Sequence, residues 1–229
     1  MFISSVDKIK KLLSKLVFNS KLYLYLLNKK DFLKYIEPCN YLMKKKIVIF
    51  ISGRGTNALN IISQFRDSDE ISVAKVYSNN ENSQFLKSHY DSKTDTSYFN
   101  NDQLPFSVFE ELKTIDPDLI VLAGFLKKIP TIYIDYFKNK IINIHPSILP
   151  NYGGKGMYGS KIHTKVIENN ERETGITIHY VSNQYDSGEI IFQKKINVEK
   201  NDTPKTIEEK IHILEYEYYP KVIQSLLVK

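Results

Sequence analysis

The chain has 229 residues, 42% of them hydrophobic and 25% charged, with a formal net charge of +6, the size and make-up of one globular domain with an appendage. The charge is concentrated at the start: residues 1–43 hold eight lysines against three acids (Asp7, Asp31, Glu37), a balance of +5 that leaves +1 for everything after them. This excludes a basic surface tracking nucleic-acid phosphates on the later part; the single Cys39 excludes an internal disulfide framework, and no apolar run reaches the roughly 18–20 residues of a spanning helix.

Residues 1–43 read as a Lys-rich amphipathic segment, with Leu12, Leu13, Leu16 and Val17 near helical spacing. A targeting peptide, a membrane-surface helix and a translation start at Met43 are all open readings, though the segment lacks arginine and a small-residue cleavage site. Residues 44–229 are expected to form the catalytic domain. The run 46–52 is continuously apolar and of strand length, as suits a strand buried on both faces. The turn Gly53-Arg54-Gly55-Thr56-Asn57 follows, then a helix over 58–65 with Leu59, Ile62 and Phe65 at helical spacing. The pattern then predicts a strand over 71–78, a short helix over 83–89, no assignable element over 91–102, a helix over 106–115 and a strand over 118–124. Pro130 stands where a helix over 131–137 begins, and the strand 140–144 runs into Asn143-Ile144-His145-Pro146-Ser147-Ile148-Leu149-Pro150. A loop with four glycines (151–159), a helix (160–169), paired strands (174–182 and 189–198) and a final helix capped by Thr203 and ending near Leu227 complete the chain. Alternating strands and helices predict an α/β fold with a mostly parallel twisted sheet, helices on both faces, and an antiparallel carboxy-terminal portion.

Three places carry chemistry. Gly53-x-Gly55-x-x-Ala58 resembles a dinucleotide fingerprint, but the second strand ends in Tyr77-Ser78-Asn79-Asn80 without the acid such a site needs. What remains is a phosphate site on the amides of Gly55, Thr56 and Asn57 at a helix N-terminus, or a plain capped turn. Asn143 and His145, two apart on a strand, share a face and pair an amide donor with an imidazole, the equipment for stabilising an oxyanion. Ser147 lies in no nucleophile elbow and reads as structural. Asp186, within Tyr185-Asp186-Ser187-Gly188, is an ordinary turn residue unless it meets His145 and orients the ring. The histidines at 89, 145, 163, 179 and 212 are scattered, so no metal is expected, and His179 reads as a satisfied, half-buried strand residue.

Taken in order, Ile51–Asn57, Leu122-Ala123-Gly124-Phe125, Asn143–Pro150, Gly175–His179 with Tyr185–Gly188, and Glu215 followed by Tyr219-Pro220 resemble the phosphoribosylglycinamide formyltransferases, over about residues 46–225. That resemblance implies the formyltransferase fold and transfer of the formyl group of 10-formyltetrahydrofolate to the amine of glycinamide ribonucleotide, a step of de novo purine biosynthesis. It places the catalytic trio on Asn143, His145 and Asp186, the substrate phosphate on Gly55, Thr56 and Asn57, and the ribose hydroxyls on Glu215. The folate would lie against Leu126, Lys127, Ile129, Val181 and Asp186. It implies a folate co-substrate without a metal, small-molecule partners with neither nucleic acid nor membrane, a monomer or weak homodimer, and a cytoplasmic location. Two departures stand out: Asn100 and Asn101 occupy the segment where relatives carry a phosphate-binding arginine, and the loop 151–160 is long and glycine-rich. Hydrolase and tRNA-directed members of the group call for a preceding regulatory domain, or for a further carboxy-terminal domain with a basic surface; neither is expected here.

Overall fold

The computed structural model describes residues 44–88 and 94–228. The chain divides into two units, 1–43 and 44–229; the first lies outside the described residues, and with it the expected amphipathic helix and Cys39, as does His89.

In the second unit seven strands make one sheet: β1 (Lys45–Ile51), β2 (Ile71–Ser78), β3 (Asp95–Tyr98), β4 (Leu119–Leu122), β5 (Ile141–His145), β6 (Glu173–Tyr180) and β7 (Ile190–Asn197). Their order is β3-β2-β1-β4-β5-β6-β7, parallel through β5 and antiparallel at β5–β6 and β6–β7. The helices are α1 (Thr56–Phe65), α2 (Gln84–Ser88), α3 (Ser107–Ile115), α4 (Thr131–Tyr136), α5 (Ser160–Glu168) and α6 (Pro204–Leu227). The expected elements are thus present to within a few residues. The exception is β3, four residues (Asp-Thr-Ser-Tyr) within the stretch that shows no sequence signal; it exists because β2 offers it a ladder.

The apolar run of β1 is explained by its two buried faces. Ile47, Ile49 and Ile51 join a core with Ala58 and Ile61 of α1 and Ile207, Ile211 and Ile223 of α6. Val48 and Phe50 enter a second core with Val108 and Leu112 of α3 and Tyr133 of α4. Side chains alternate across a strand, so every residue of a central strand meets apolar neighbours. On β5 the same alternation puts Ile142 and Ile144 in the first core and Ile141, with Asn143 and His145 beyond it, on the other side. Helix α6 starts at a reciprocal cap between Thr203 and Thr206, which satisfies orphan amides at its first turn. It runs along the first core, carrying Glu215 to the strand ends.

Candidate active site

Strands β1 and β4 are neighbours, yet β1 leads into α1 on one face and β4 toward α4 on the other. Such a reversal opens a crevice beyond the carboxy ends of the strands. There a cavity of about 580 Å³ is lined by the glycine turn 53–57, residues 123–127 after β4, 143–146 at the end of β5, the loop 154–159, Tyr185, Asp186 and, from α6, Glu208, Ile211, His212 and Glu215. A smaller recess of about 60 Å³, walled by Leu122, Phe125, Ile129, His179 and Val181, shares Asn143 and Asp186 with it. A larger hollow of about 770 Å³ lies between residues 170–173 and the end of β7 and holds none of the candidate residues.

The glycine turn is shaped for an anion. Gly55 has φ +75°, and a Cβ there would fall 2.8 Å from Phe85 Cβ. No side chain caps α1, so first-turn amides face the cavity without the usual capping oxygen. Gly55→Ala is expected to cost about 2 kcal/mol of stability, from left-handed strain and overpacking on Phe85; a chemical-denaturation midpoint no lower than wild type would contradict this. Asn57 donates from Nδ2 to Glu215 Oε2 at 2.9 Å, so its side chain holds the carboxylate and does not cap the helix. Burial of Glu215, the first cause, with Glu208 nearby as a lesser one, pushes its carboxyl up to about 7 against the opposing Asn57 bond. Asn100 caps a single 3₁₀ turn at 101–103 and Asn101 accepts from Asn79 Nδ2; neither lines the cavity. The cations that do line it are Arg54, loosely paired with Glu208 at 3.4 Å, Lys127 and Lys155.

Asn143 and His145, paired by their spacing, are joined by Asp186 near the junction of the two hollows. His145, 4% exposed, presents Nδ1 to Asp186 Oδ1 at 3.5 Å and donates from Nε2 to the Tyr152 carbonyl at 2.8 Å. Asp186 has φ +52°, and its Oδ2 accepts from the Gly154 amide at 2.8 Å. The turn behind it closes tightly: a Cβ on Gly188 would lie 1.7 Å from the Tyr180 carbonyl oxygen, so only glycine lets the chain return into β7 there.

Opposite Asn143 in the β5–β6 register stands His179. It is 2% exposed, fully rather than half buried. Its Nδ1 bonds the Tyr180 carbonyl at 2.8 Å; a carbonyl only accepts, so the proton sits on Nδ1 and Nε2 accepts from Asn143 Nδ2 at 3.1 Å. Burial holds the His179 ring below its usual value, which keeps Nε2 an acceptor. One Asn143 amide hydrogen is thereby fixed, and the second remains for a ligand. The periodicity of β6 marked His179 as inward-facing but carried no sign of its partner. Ser147 donates to the Asn151 carbonyl at 2.7 Å, and its own carbonyl accepts from Thr177 Oγ1; it braces the loop and does not line the cavity.

Of the expected folate contacts, Ile129 and Val181 wall the small recess, Lys127 and Asp186 line both hollows, and Leu126 lines the larger one. His163 and His212 also line the larger cavity. Their scatter in sequence hid them; a helical wheel of α6, with His212 three residues before Glu215, was the available signal.

A family model described as formyl transferase matches residues 45–223. The chloroplastic phosphoribosylglycinamide formyltransferase of Arabidopsis thaliana is 32% identical over 200 residues, covering 80% of this chain. This chain spans only 65% of that plant protein's length. The phosphoribosylglycinamide formyltransferase of Bacillus subtilis is 34% identical over 193 residues, covering 80% of this chain and 95% of the relative. Among solved structures, the phosphoribosylglycinamide formyltransferase of Bacillus halodurans aligns with a TM-score of 0.73 at 30% identity, covering 81% of this chain and 96% of the other.

Proposed function

The chain belongs to the formyl transferase family, and we propose that it moves the formyl group of 10-formyltetrahydrofolate to the primary amine of glycinamide ribonucleotide, a step of purine biosynthesis. The observation that carries this reading is the meeting of Asn143, His145 and Asp186 where two unlike hollows join. The larger offers a helix N-terminus and a buried carboxylate, which suit a phosphate and ribose hydroxyls. The smaller offers apolar walls from Leu122, Phe125, Ile129 and Val181, which suit a flat heteroaromatic ring.

Bound there, the folate supplies an electrophilic formyl carbon. Gly55, Thr56 and Asn57 anchor the ribonucleotide phosphate through their amides, with Arg54 or Lys155 as counter-ion in place of an arginine from the segment near 100. Glu215 accepts from the ribose hydroxyls. Together these contacts deliver the amine to the junction, and holding two reactants at attack distance removes much of the entropic barrier. Asn143 donates its remaining amide hydrogen to the oxyanion that develops as the amine adds. The Nε2 proton of His145 is tied to the Tyr152 carbonyl, so the working proton is on Nδ1, where the imidazolium is a second oxyanion donor. Asp186 Oδ1, beside Nδ1, takes up the proton the amine sheds, through a bridging water. As the oxyanion collapses, the bond from the formyl carbon to the folate N10 breaks and that proton passes to N10, releasing tetrahydrofolate and the formylated amine. Leu126, Lys127, Ile129 and Val181 position the folate. The trio needs neither a covalent intermediate nor a metal. The cytoplasm is the expected site of action, with residues 1–43 dispensable for turnover.

Following tetrahydrofolate-type product spectroscopically, with a 10-formyl donor and with or without glycinamide ribonucleotide, tests the reading. Acceptor-dependent turnover is expected. Turnover without the acceptor would indicate a hydrolase, and none with it would overturn the assignment.

A further inference from the structure

The backbone of residues 151–154 bonds two members of the candidate trio and the serine beside them. Ser147 Oγ donates to the Asn151 carbonyl, His145 Nε2 to the Tyr152 carbonyl, and the Gly154 amide to Asp186. At the centre Tyr152 is held at φ +57°, a conformation that L-residues with large side chains rarely adopt and that persists only where the surroundings enforce it. The ring's far end is tethered on both sides. Tyr152 Oη donates to Glu171 Oε1 at 2.6 Å and accepts from Asn169 Nδ2 at 2.7 Å. Both partners belong to the end of α5 and the turn after it, where the Asn169 amide bonds the Lys165 carbonyl and the Glu171 amide the Val166 carbonyl.

We propose that Tyr152 is a positioning residue: its hydroxyl, clamped by Glu171 and Asn169, locks the left-handed backbone so that its carbonyl holds the Nε2 proton of His145 and commits Nδ1 to the reaction. The inference rests on the formyl-transfer reading for what Nδ1 then does, but the clamp itself is a property of the free protein. The geometry is a lever. The side chain is tied to one element and the carbonyl to the imidazole, so losing the hydroxyl frees the carbonyl without removing any group that meets substrate. Without the Tyr152 carbonyl nothing holds a proton on Nε2, and a neutral imidazole can place its single proton on Nδ1 against Asp186, leaving Nε2 bare and the ring free to turn. Burial and then the Glu171 bond push the phenol above its usual range, so it remains a donor in neutral solution.

In the full chain, Tyr152→Phe is expected to lower kcat about ten-fold while the KM for each substrate stays within about two-fold, since orientation and not binding is lost. Glu171→Leu should reproduce that loss, Glu171→Gln, which keeps an acceptor, should recover most of it, and the pair Tyr152→Phe with Glu171→Leu should lose no more than either alone. Nitrogen-15 NMR of the His145 ring without substrate gives an independent reading: one Nε2-protonated tautomer in the wild type, a mixture of tautomers in Tyr152→Phe. An unchanged kcat, a parallel change of kcat and KM with a lowered melting temperature, or a tautomer that Tyr152→Phe does not disturb would overturn the proposal. If the wild type transfers no formyl group, the functional reading fails by itself and the ring spectra still decide the clamp.

Discussion

His145→Ala is expected to lower kcat by about 10²–10³-fold, the cost of losing one preorganised oxyanion donor from a buried site. The ring joins the Asp186 carboxylate to the loop carbonyl of Tyr152. Removing it takes away the charged donor at Nδ1 and the seat of the working proton together. Asn143 is left to stabilise the oxyanion alone. The proposed reaction places ribonucleotide binding on groups elsewhere in the cavity, so KM for the ribonucleotide should change little, and the loss should appear in kcat. Asn143→Ala should fall in the same range, and the two together should cost less than the product of the singles, because they serve one charge. Steady-state kinetics with both substrates varied is the check. A loss of less than ten-fold for His145→Ala would remove the imidazole from the reaction.

The second large effect concerns stability. Glu215 titrates near 7 in the folded protein against an ordinary 4.5, because burial disfavours its charge. Between those values the folded state keeps a proton that the unfolded chain has released, so stability falls as pH rises. The favourable contribution is complete below about 4.5 and lost as pH passes through about 7, a change of about 3 kcal/mol. Glu215→Gln keeps an acceptor for Asn57 Nδ2 but carries no charge. It should therefore be more stable than wild type by about 3 kcal/mol at pH 8 and no more stable at pH 4. Urea unfolding across that range measures the gap directly, and a gap that does not change with pH would refute the buried charge. The same variant should raise KM for the ribonucleotide about ten-fold, since an amide is a weaker acceptor for ribose hydroxyls than a carboxylate. A more stable protein that binds its substrate less well would show that the buried charge is kept for recognition.

Much of the fold was legible because it is written in local periodicity. The unbroken apolar run of β1 announces two buried faces, and both cores claim it. Thr203 before Pro204 announces the start of α6. Strand β3 was not legible, since Asp95-Thr96-Ser97-Tyr98 has neither alternation nor hydrophobicity, and only pairing with β2 makes it a strand. Asn100 and Asn101, in the segment without the expected arginine, serve as a turn cap and as an acceptor for Asn79.

By itself the sequence determined the α/β alternation, the glycine turn after β1, and an amide and an imidazole on one side of a strand end, since each depends on residues within a few positions of one another. It also carried the ordered motifs that mark the family. Only the tertiary structure decided that Asp186 faces His145, that His179 fixes the Asn143 amide, that Asn57 holds Glu215, and that Tyr152 lends its carbonyl to the imidazole. Those pairs are joined by the antiparallel register of β5 with β6, by the packing of α6 along the first core, and by a left-handed loop residue. Each depends on where distant segments come to rest, and no local pattern of side chains encodes that.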